Sequence, residues 1–317
     1  MALYIDATRV GKNGVTTNQA YDGYWRVGGD NIGGWPGQPT SNFFAGTLAN
    51  VAVYPTALST TQVRNHWTAS GRVAPPIVTP ADAYGSAVYA DEPLQYWRLD
   101  ETSGTTLADA SNNNATGLVQ GTATLGVPGA LGATGKAISL DGSSYLTSAQ
   151  QTSSPSAYSL ELWFSTTTST GGKLLGFGDA QTGNSGSYDK HIYLDNAGKL
   201  VFGVYNGGYF TISSPTTLNN GAWHMAAATM GAGGMALWID GVKVGTNANT
   251  AGETTTGWFR AGCGNLGGWG DSWTGGNNPT NSTNPTQNRP FAGSLDEISI
   301  WQSVLTDTQI QSLWAAR

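Results

Sequence analysis

Cysteine is nearly missing from this sequence: Cys263 stands alone among 317 residues. A single thiol builds no intrachain disulfide framework and no cysteine zinc site. Charge is scarce as well, at 11% Asp, Glu, Lys and Arg, against about 25% in an average domain. Lys and Arg number 14 against 20 Asp and Glu, a net charge of −6. The clustered positive charge that a phosphate backbone requires is therefore lacking, and nucleic acid is excluded as a partner. The three histidines, His66, His191 and His224, stand far apart without metal-ligand spacing. No apolar run approaches the ~20 residues of a membrane helix. The opening residues carry no charged segment followed by an apolar stretch of signal-peptide form.

Glycine is abundant instead, with 45 residues, and 12 Trp, 13 Tyr and 8 Phe contribute to a hydrophobic content of 39%. That is enough apolar material for packed cores and excludes a disordered chain. Thr, Val, Tyr and Trp suit strands, while Gly and Asn suit the turns between them. The composition describes a β-rich protein.

An internal repeat organises the chain. Residues 1–35 align without a gap on 235–269, with 16 of 35 positions identical. MALYID (Met1–Asp6) meets MALWID (Met235–Asp240), and GYWRVGGDNIGGW (Gly23–Trp35) meets GWFRAGCGNLGGW (Gly257–Trp269). After a length difference of 13 residues, FAGTLANVAVYPTALSTTQVRNHW (Phe44–Trp67) meets FAGSLDEISIWQSVLTDTQIQSLW (Phe291–Trp314). The second copy is preceded by a long segment beginning near Leu94 that the first copy lacks. The expected organisation is thus a C-terminal half domain over 1–71, a linker over 72–90 and a complete domain over 91–317. Pro75, Pro76, Pro80 and small residues predict an extended, stiff linker.

Short segments with alternating apolar and polar residues run through 91–317, among them YSLELWFST (Tyr158–Thr166), KLVFGVY (Lys199–Tyr205) and MALWIDG (Met235–Gly241). Asp195–Gly198 and Asp240-Gly241 are hairpin turn signals. The one convincing helix is terminal: Thr306 and Gln309 form a capping-box pattern ahead of Ile310, Leu313 and Trp314, and Ser59–Gln62 repeats it in the first copy. Trp163, Trp223, Trp238 and Trp301 lie in strand patterns and read as packing residues. The fold class is all-β, an antiparallel β-sandwich with a short C-terminal helix, plus about four strands and a helix of a partial second sandwich over 1–71.

YWRLDETSGTTLADASNNNATG (Tyr96–Gly117), AISLDGSSYL (Ala137–Leu146), SLELWF (Ser159–Phe164) and the closing FAGSLDEISIWQSVLTDTQIQSLW resemble the laminin G-like, concanavalin A-like lectin/glucanase jelly-roll family in its bacterial form. The resemblance covers essentially all of 91–317 and, as a half domain, 1–71. It implies two packed antiparallel sheets with loops on the rims, and it admits lectins, adhesion modules and hydrolases alike. Glucanases of this fold need paired carboxylates, on alternate positions of one strand. Glu161 has no carboxylate two residues away, and Asp296-Glu297 are adjacent, which on a regular strand sends them to opposite faces. The expectation is therefore no enzyme.

The resemblance also implies structural calcium where first and last strands meet, with Asp109, Asn112, Asn114 and Asp296 as oxygen donors. An Asx-turn loop with a hydrogen-bonded carboxylate explains the same residues equally well. For ligand binding, the long polar segment Gly270–Pro290 offers Trp269, Asp271, Trp273 and an Asn cluster including Asn277, the aromatic plate and hydroxyl partners that sugars require. Trp269 also reads as a packing residue, because Trp35 matches it beside a shorter loop. The loop before His191 adds Tyr188 and Asp189. These features predict a non-catalytic, extracellular binding or adhesion module for a glycan or a cell-surface protein, within a longer repetitive surface or phage-tail protein. The alternative is a structural spacer or filament-forming repeat, in which the half domain 1–71 self-associates or is completed by another chain.

Overall fold

A computed structural model describes residues 1–12, 19–58, 60–73, 79–269 and 289–317. The first repeat contributes strands β1 (Ala2–Ile5) and β2 (Thr8–Lys12) and helix α1 (Thr60–Ala69). Helix α2 (Ala83–Ala90) precedes β3 (Gln95–Trp97), β4 (Thr106–Leu107), β5 (Gly117–Gln120), β6 (Thr124–Pro128), β7 (Lys136–Asp141), β8 (Tyr145–Ser148) and β9 (Thr152–Ser153). The long strands follow: β10 (Tyr158–Ser165), β11 (Gly172–Gly178), β12 (Tyr188–Leu194), β13 (Lys199–Tyr205), β14 (Tyr209–Thr217) and β15 (Trp223–Gly231). Then come β16 (Gly234–Ile239), β17 (Val242–Asn247), β18 (Thr256–Ala261), β19 (Ala292–Trp301) and helix α3 (Asp307–Ala315).

All pairings among the described residues are antiparallel and give the small β1-β2 sheet and two large sheets. One runs β17-β16-β15-β10-β19-β7-β6 with β3 also on β19; the other runs β14-β13-β12-β11-β18-β8-β5-β4 with β9 also on β18. The period-two pattern of β10 shows why they stack. Leu160, Leu162 and Phe164 enter the core between the sheets, where they meet Leu175, Phe177, Ile192, Phe202 and Phe259. Trp163 points to the opposite face, joins Tyr96, Trp238 and Trp301, and is roofed by α2 and α3 through Tyr84, Val88, Ile310 and Leu313. β10 is consequently buried on both faces. The sandwich and the terminal helix agree with the sequence, and Thr306 and Gln309 close the capping box at α3.

The expectation of an extended chain is corrected for the last residues of the 72–90 segment. Residues 83–90 are helical, because the Asp82 side chain accepts from Gly85 N at 2.7 Å as an N-cap and small helix-compatible residues follow. Tyr84 and Val88, one turn apart, face the sheet. The Tyr84 hydroxyl donates to Glu161 Oε1 at 2.6 Å and accepts from Trp163 Nε1 at 2.8 Å.

The first repeat also differs from expectation. Among the described residues only the β1–β2 hairpin of its anticipated strands forms, while 19–35 and 44–54 carry no strand, and one isolated bridge joins Gly29 to Phe43. The reason is pairing. β16 and β17, the counterparts of β1 and β2, pair with each other, whereas β18 and β19 are interior strands whose partners are β11, β8, β10, β7 and β3. A strand without neighbours leaves its backbone groups to water.

Removing the Tyr84 hydroxyl tests the role of α2. Tyr84→Phe strands a buried carboxyl oxygen and an indole N–H, so unfolding in urea should show a loss of about 1–3 kcal/mol, with earlier proteolytic cutting near residues 79–91. An unchanged midpoint would refute this account of α2.

Candidate functional site

The outer face of the second sheet carries the residues best placed to meet a ligand. Tyr205 and Tyr209 face each other across the β13–β14 hairpin, whose Asn206-Gly207-Gly208 tip includes Gly207 at φ 67°. Their rings meet edge to face at 5.2 Å, and Tyr209 meets Trp269 in the same way at 5.1 Å. Together with Gly186, Tyr188 and Glu253 they line an open cleft of about 230 Å³. Tyr209 is 49% exposed, whereas Trp269 is only 1% exposed. Gly203, opposite His191 in the ladder, makes this seating possible, since a Cβ there would overlap the Trp269 ring. Tyr188 donates its hydroxyl proton to Gly267 O at 2.8 Å, tying the loop before Trp269 to the cleft wall.

Asp189 lies beneath the cleft and serves structure. Its Oδ1 accepts from Tyr205 N at 2.7 Å and its Oδ2 from Glu253 N at 2.8 Å, with the Lys190 ammonium 3.1 Å from Oδ2. Burial, with the Asp189 charge next in weight, raises the Glu253 carboxyl above its ordinary range.

Three basic side chains lie beside the cleft, all buried on that face: Lys173, His191 and Arg260. They surround Gly176, which pairs with Arg260 and would collide with His191 Nδ1 if it carried a Cβ. Arg260 donates to Gly183 O at 2.7 Å and stacks over Tyr145 at 4.7 Å. Neither ring nitrogen of His191 has a hydrogen-bond partner among the described residues. Burial, followed by the nearby Lys173 charge, pushes the His191 pKa well down, so the ring is neutral. Burial next to Arg260 brings Lys173 down to about 7.

Of the sequence-nominated ligand residues, Tyr188 lines the cleft and Trp269 forms its packed inner wall, not an exposed plate. Asp189 is withdrawn from ligand contact by its own hydrogen bonds. Asp271, Trp273 and Asn277 lie outside the described residues. Sequence reasoning missed Tyr205, Tyr209 and Glu253. A readable signal existed for the first two, since tyrosines flanking an Asn-Gly-Gly tip mark a hairpin end with paired rings. Glu253 carried none, because it reaches the cleft through a loop.

The calcium expectation meets a donor set that does not fit a cation. Asp109 Oδ1 accepts from Tyr96 N and Ser111 N, and Oδ2 accepts from Ser111 Oγ, Asn113 N and Ala115 N, at 2.8–3.1 Å. Five donors occupy the oxygen lone pairs that a cation would need. Asn112 and Asn114 supply left-handed backbone to this Asx loop, at φ 59° and 57°. Asp296 is buried and accepts from Ala130 N and Glu297 N. Among the described residues no three His, Cys, Asp or Glu side chains converge as a metal group.

The carboxylates themselves do meet, against the alternation argument. Trp163 pairs with Asp296 and Glu161 with Ser299, so β19 carries an extra residue at a bulge, where Glu297 sits at φ 49°. Asp296 and Glu297 therefore share the outer face of the first sheet with Glu161. Tyr96 and Arg98 donate to Glu297. Burial, then the neighbouring Glu297, raises Asp296 to about 9; burial raises Glu297 to about 7, against the Arg98 charge. Helix α2 closes over Glu161, leaving this cluster a buried polar junction.

Residues 140–311 match the family described as the concanavalin A-like lectin/glucanases superfamily, of laminin G type. No curated protein matches the chain. Among solved structures, the binding domain of Paraclostridial Mosquitocidal Protein 1 is 16% identical with a TM-score of 0.51, over 71% of this chain and 52% of that one. The binding domain of botulinum neurotoxin serotype D/C is 14% identical with a TM-score of 0.50, over 72% and 53%. Domain 4 of AbnA, an extracellular arabinanase from Geobacillus stearothermophilus, is 20% identical with a TM-score of 0.49, over 70% and 98%. The chain spans about half the length of the two toxin domains, and the likeness to those two shows the fold alone. No helix among the described residues is long and apolar enough to cross a membrane.

Two measurements check the site. Folded Lys173 loses its proton near pH 7 while the unfolded chain keeps it to about its ordinary value of 10.5, so the unfolded state binds more protons between those values and stability rises with pH there. Lys173→Met should therefore be more stable than the parent at pH 7, with the gap closing towards pH 10 in thermal scans; a gap independent of pH would contradict the assignment. Calcium at about 100 times a millimolar Kd would add ~2.7 kcal/mol to a calcium-binding fold. Thermal unfolding here should be unmoved by calcium or by a chelator, and Asp109→Asn should cost about 1–3 kcal/mol with or without it.

Proposed function

Because the chain belongs to the concanavalin A-like lectin/glucanase superfamily, we propose that its complete sandwich is a non-catalytic module that binds carbohydrate in the cleft of Tyr188, Tyr205, Tyr209 and Glu253. The observation that carries this reading is the cleft itself. Tyr209 offers a half-exposed ring for the apolar face of a sugar, and the Glu253 carboxyl faces the same space for its hydroxyls. Ligand sites with a few placed polar groups among aromatic rings are the general pattern for small-molecule recognition. The two toxin domains that share the fold are binding domains by name, which is the role proposed here.

Glycoside hydrolysis requires two carboxyl groups across the scissile bond, about 5–9.5 Å apart. Glu253 is the carboxylate that lines the cleft among its described residues, and Asp189 beneath it is committed to backbone N–H groups. The cluster of Glu161, Asp296 and Glu297 lies on the other sheet under α2. The reading is therefore of binding without turnover. The low charge, the Gly- and Asn-rich composition and the repeat support a place outside the cell, in a longer repetitive surface or phage-tail protein.

A glycan array followed by calorimetry tests the proposal. The parent should bind a restricted set of glycans, and Tyr209→Ala should weaken the best of them at least about tenfold, equivalent to ~1.4 kcal/mol, with little change in unfolding midpoint. Retained affinity in that variant would exclude the cleft, and release of reducing sugar would overturn the non-catalytic reading.

A further inference from the structure

We propose that the described part of the first repeat, 1–12, 19–58 and 60–71, is a docking surface for a polypeptide segment built like residues 94–234, the half of the sandwich that completes it. The turns and loop hydrogen bonds of the second repeat recur in the first, although 19–35 and 44–54 carry no strand. Asp6 and Ala7 turn the β1–β2 hairpin at φ 49° and 62°, as Asp240 and Gly241 turn β16–β17 at 51° and 76°. Gly28 and Gly34 stand at 83° and 84°, their counterparts Gly262 and Gly268 at 85° and 80°. Phe44 N donates to Gly28 O at 2.8 Å, and Phe291 N donates to Gly262 O at 2.8 Å. Gly33 N donates to Asn31 Oδ1 at 2.9 Å, and Gly267 N to Asn265 Oδ1 at 2.8 Å. Asn50 even keeps the left-handed φ of 51° at the position of the Glu297 bulge. Helix α1 aligns in sequence with α3.

The side chains tell the opposite story. Leu48 is 52% exposed and Trp35 71%, while Leu295 and Trp269 at the matching positions are at 0% and 1%. Leu3, Phe44 and Val53 are likewise exposed where Leu237, Phe291 and Ile300 are buried. An exposed apolar surface of this extent on a shaped backbone marks an interaction site.

The complete copy identifies the occupant. Apart from the β16–β17 pair, every strand that hydrogen-bonds β16, β18 or β19 comes from residues 94–234: β15 on β16, β11, β8 and β9 on β18, and β10, β7 and β3 on β19. The same residues supply Leu160, Leu162, Phe164 and Phe202 to the core. A second copy of this chain does not meet the need, because its own 94–234 half is already covered by its 235–317 half. The partner is therefore another segment of that type, joining by strand addition on both edges of 44–54. This inference stands apart from glycan binding and is tested separately.

The test places a duplicate of residues 94–234 directly ahead of Met1 of the full chain, so that Gly234 joins Met1 as it joins Met235 in the complete copy. In the fused protein the amides of Phe44–Tyr54 should exchange at least about a hundredfold more slowly than in the unfused chain, as core strands do, and the unfused chain should sediment as a monomer. Adding Leu48→Asp and Val53→Asp to the fusion should abolish that protection while β10 and β19 of the complete domain keep theirs. Unprotected 44–54 in a fusion whose complete domain is protected would overturn the proposal. So would a dimer of the unfused chain that already protects 44–54, which would make a second copy the occupant.

Discussion

Strand β19 holds the first sheet together because it is paired along both edges and buried on both faces. β10 lies on one side and β7 and β3 on the other, while Leu295, Ile298 and Ile300 face the inter-sheet core and Trp301 faces the helices. A backbone so placed takes its hydrogen-bond partners from neighbouring strands instead of water, with the bulge at Glu297 as the interruption. The similar residue pattern at 44–54, with no strand paired to it among the described residues, carries no strand. The contrast between the two repeats agrees with β-structure residing in the pair and not in the strand.

The two outer faces of the sandwich solve their exposure differently. On the first sheet, α2 and α3 cover Trp163, Trp238 and Trp301, and the carboxyl groups of Glu161, Asp296 and Glu297 are drawn into a junction with Tyr84, Tyr96 and Arg98. That face is closed. On the second sheet, the glycine positions 176 and 203 leave room for Lys173, His191 and Trp269 to lie flat against the strands. The tyrosines at the β13–β14 tip then rise beyond them and make an open cleft. The glycines that made the composition conspicuous thus have specific uses, two of them in shaping the face that carries the candidate site.

Much of the fold was legible. The alternation in Tyr158–Ser165 gave the correct inward and outward sets of β10, and the Thr306–Gln309 capping box marked α3. Helix α2 was hidden because prolines at 75, 76 and 80 dominate the segment before it, and its Asp82 cap is a single residue. The site was less legible. Tyr188 was named from a loop, but Tyr205 and Tyr209 read as strand ends, and Asp189 read as a ligand group although its acceptors serve Tyr205, Glu253 and Lys190. The adjacent pair Asp296-Glu297 was assigned to opposite faces by a rule that holds only for a regular strand, and the bulge at Glu297 breaks it.

The sequence by itself determined the repeat, the β-sandwich class, the terminal helix and the inward-facing residues, because these depend on periodicity and local turn chemistry that each segment carries within itself. Tertiary structure alone decided which carboxylates meet, which aromatic rings stay at the surface, and that 44–54 is not a strand while 291–301 is. Those outcomes depend on bulges, on glycine gaps under a neighbouring ring and on the presence of strands distant in the chain. None of these is a property of the residues that they affect.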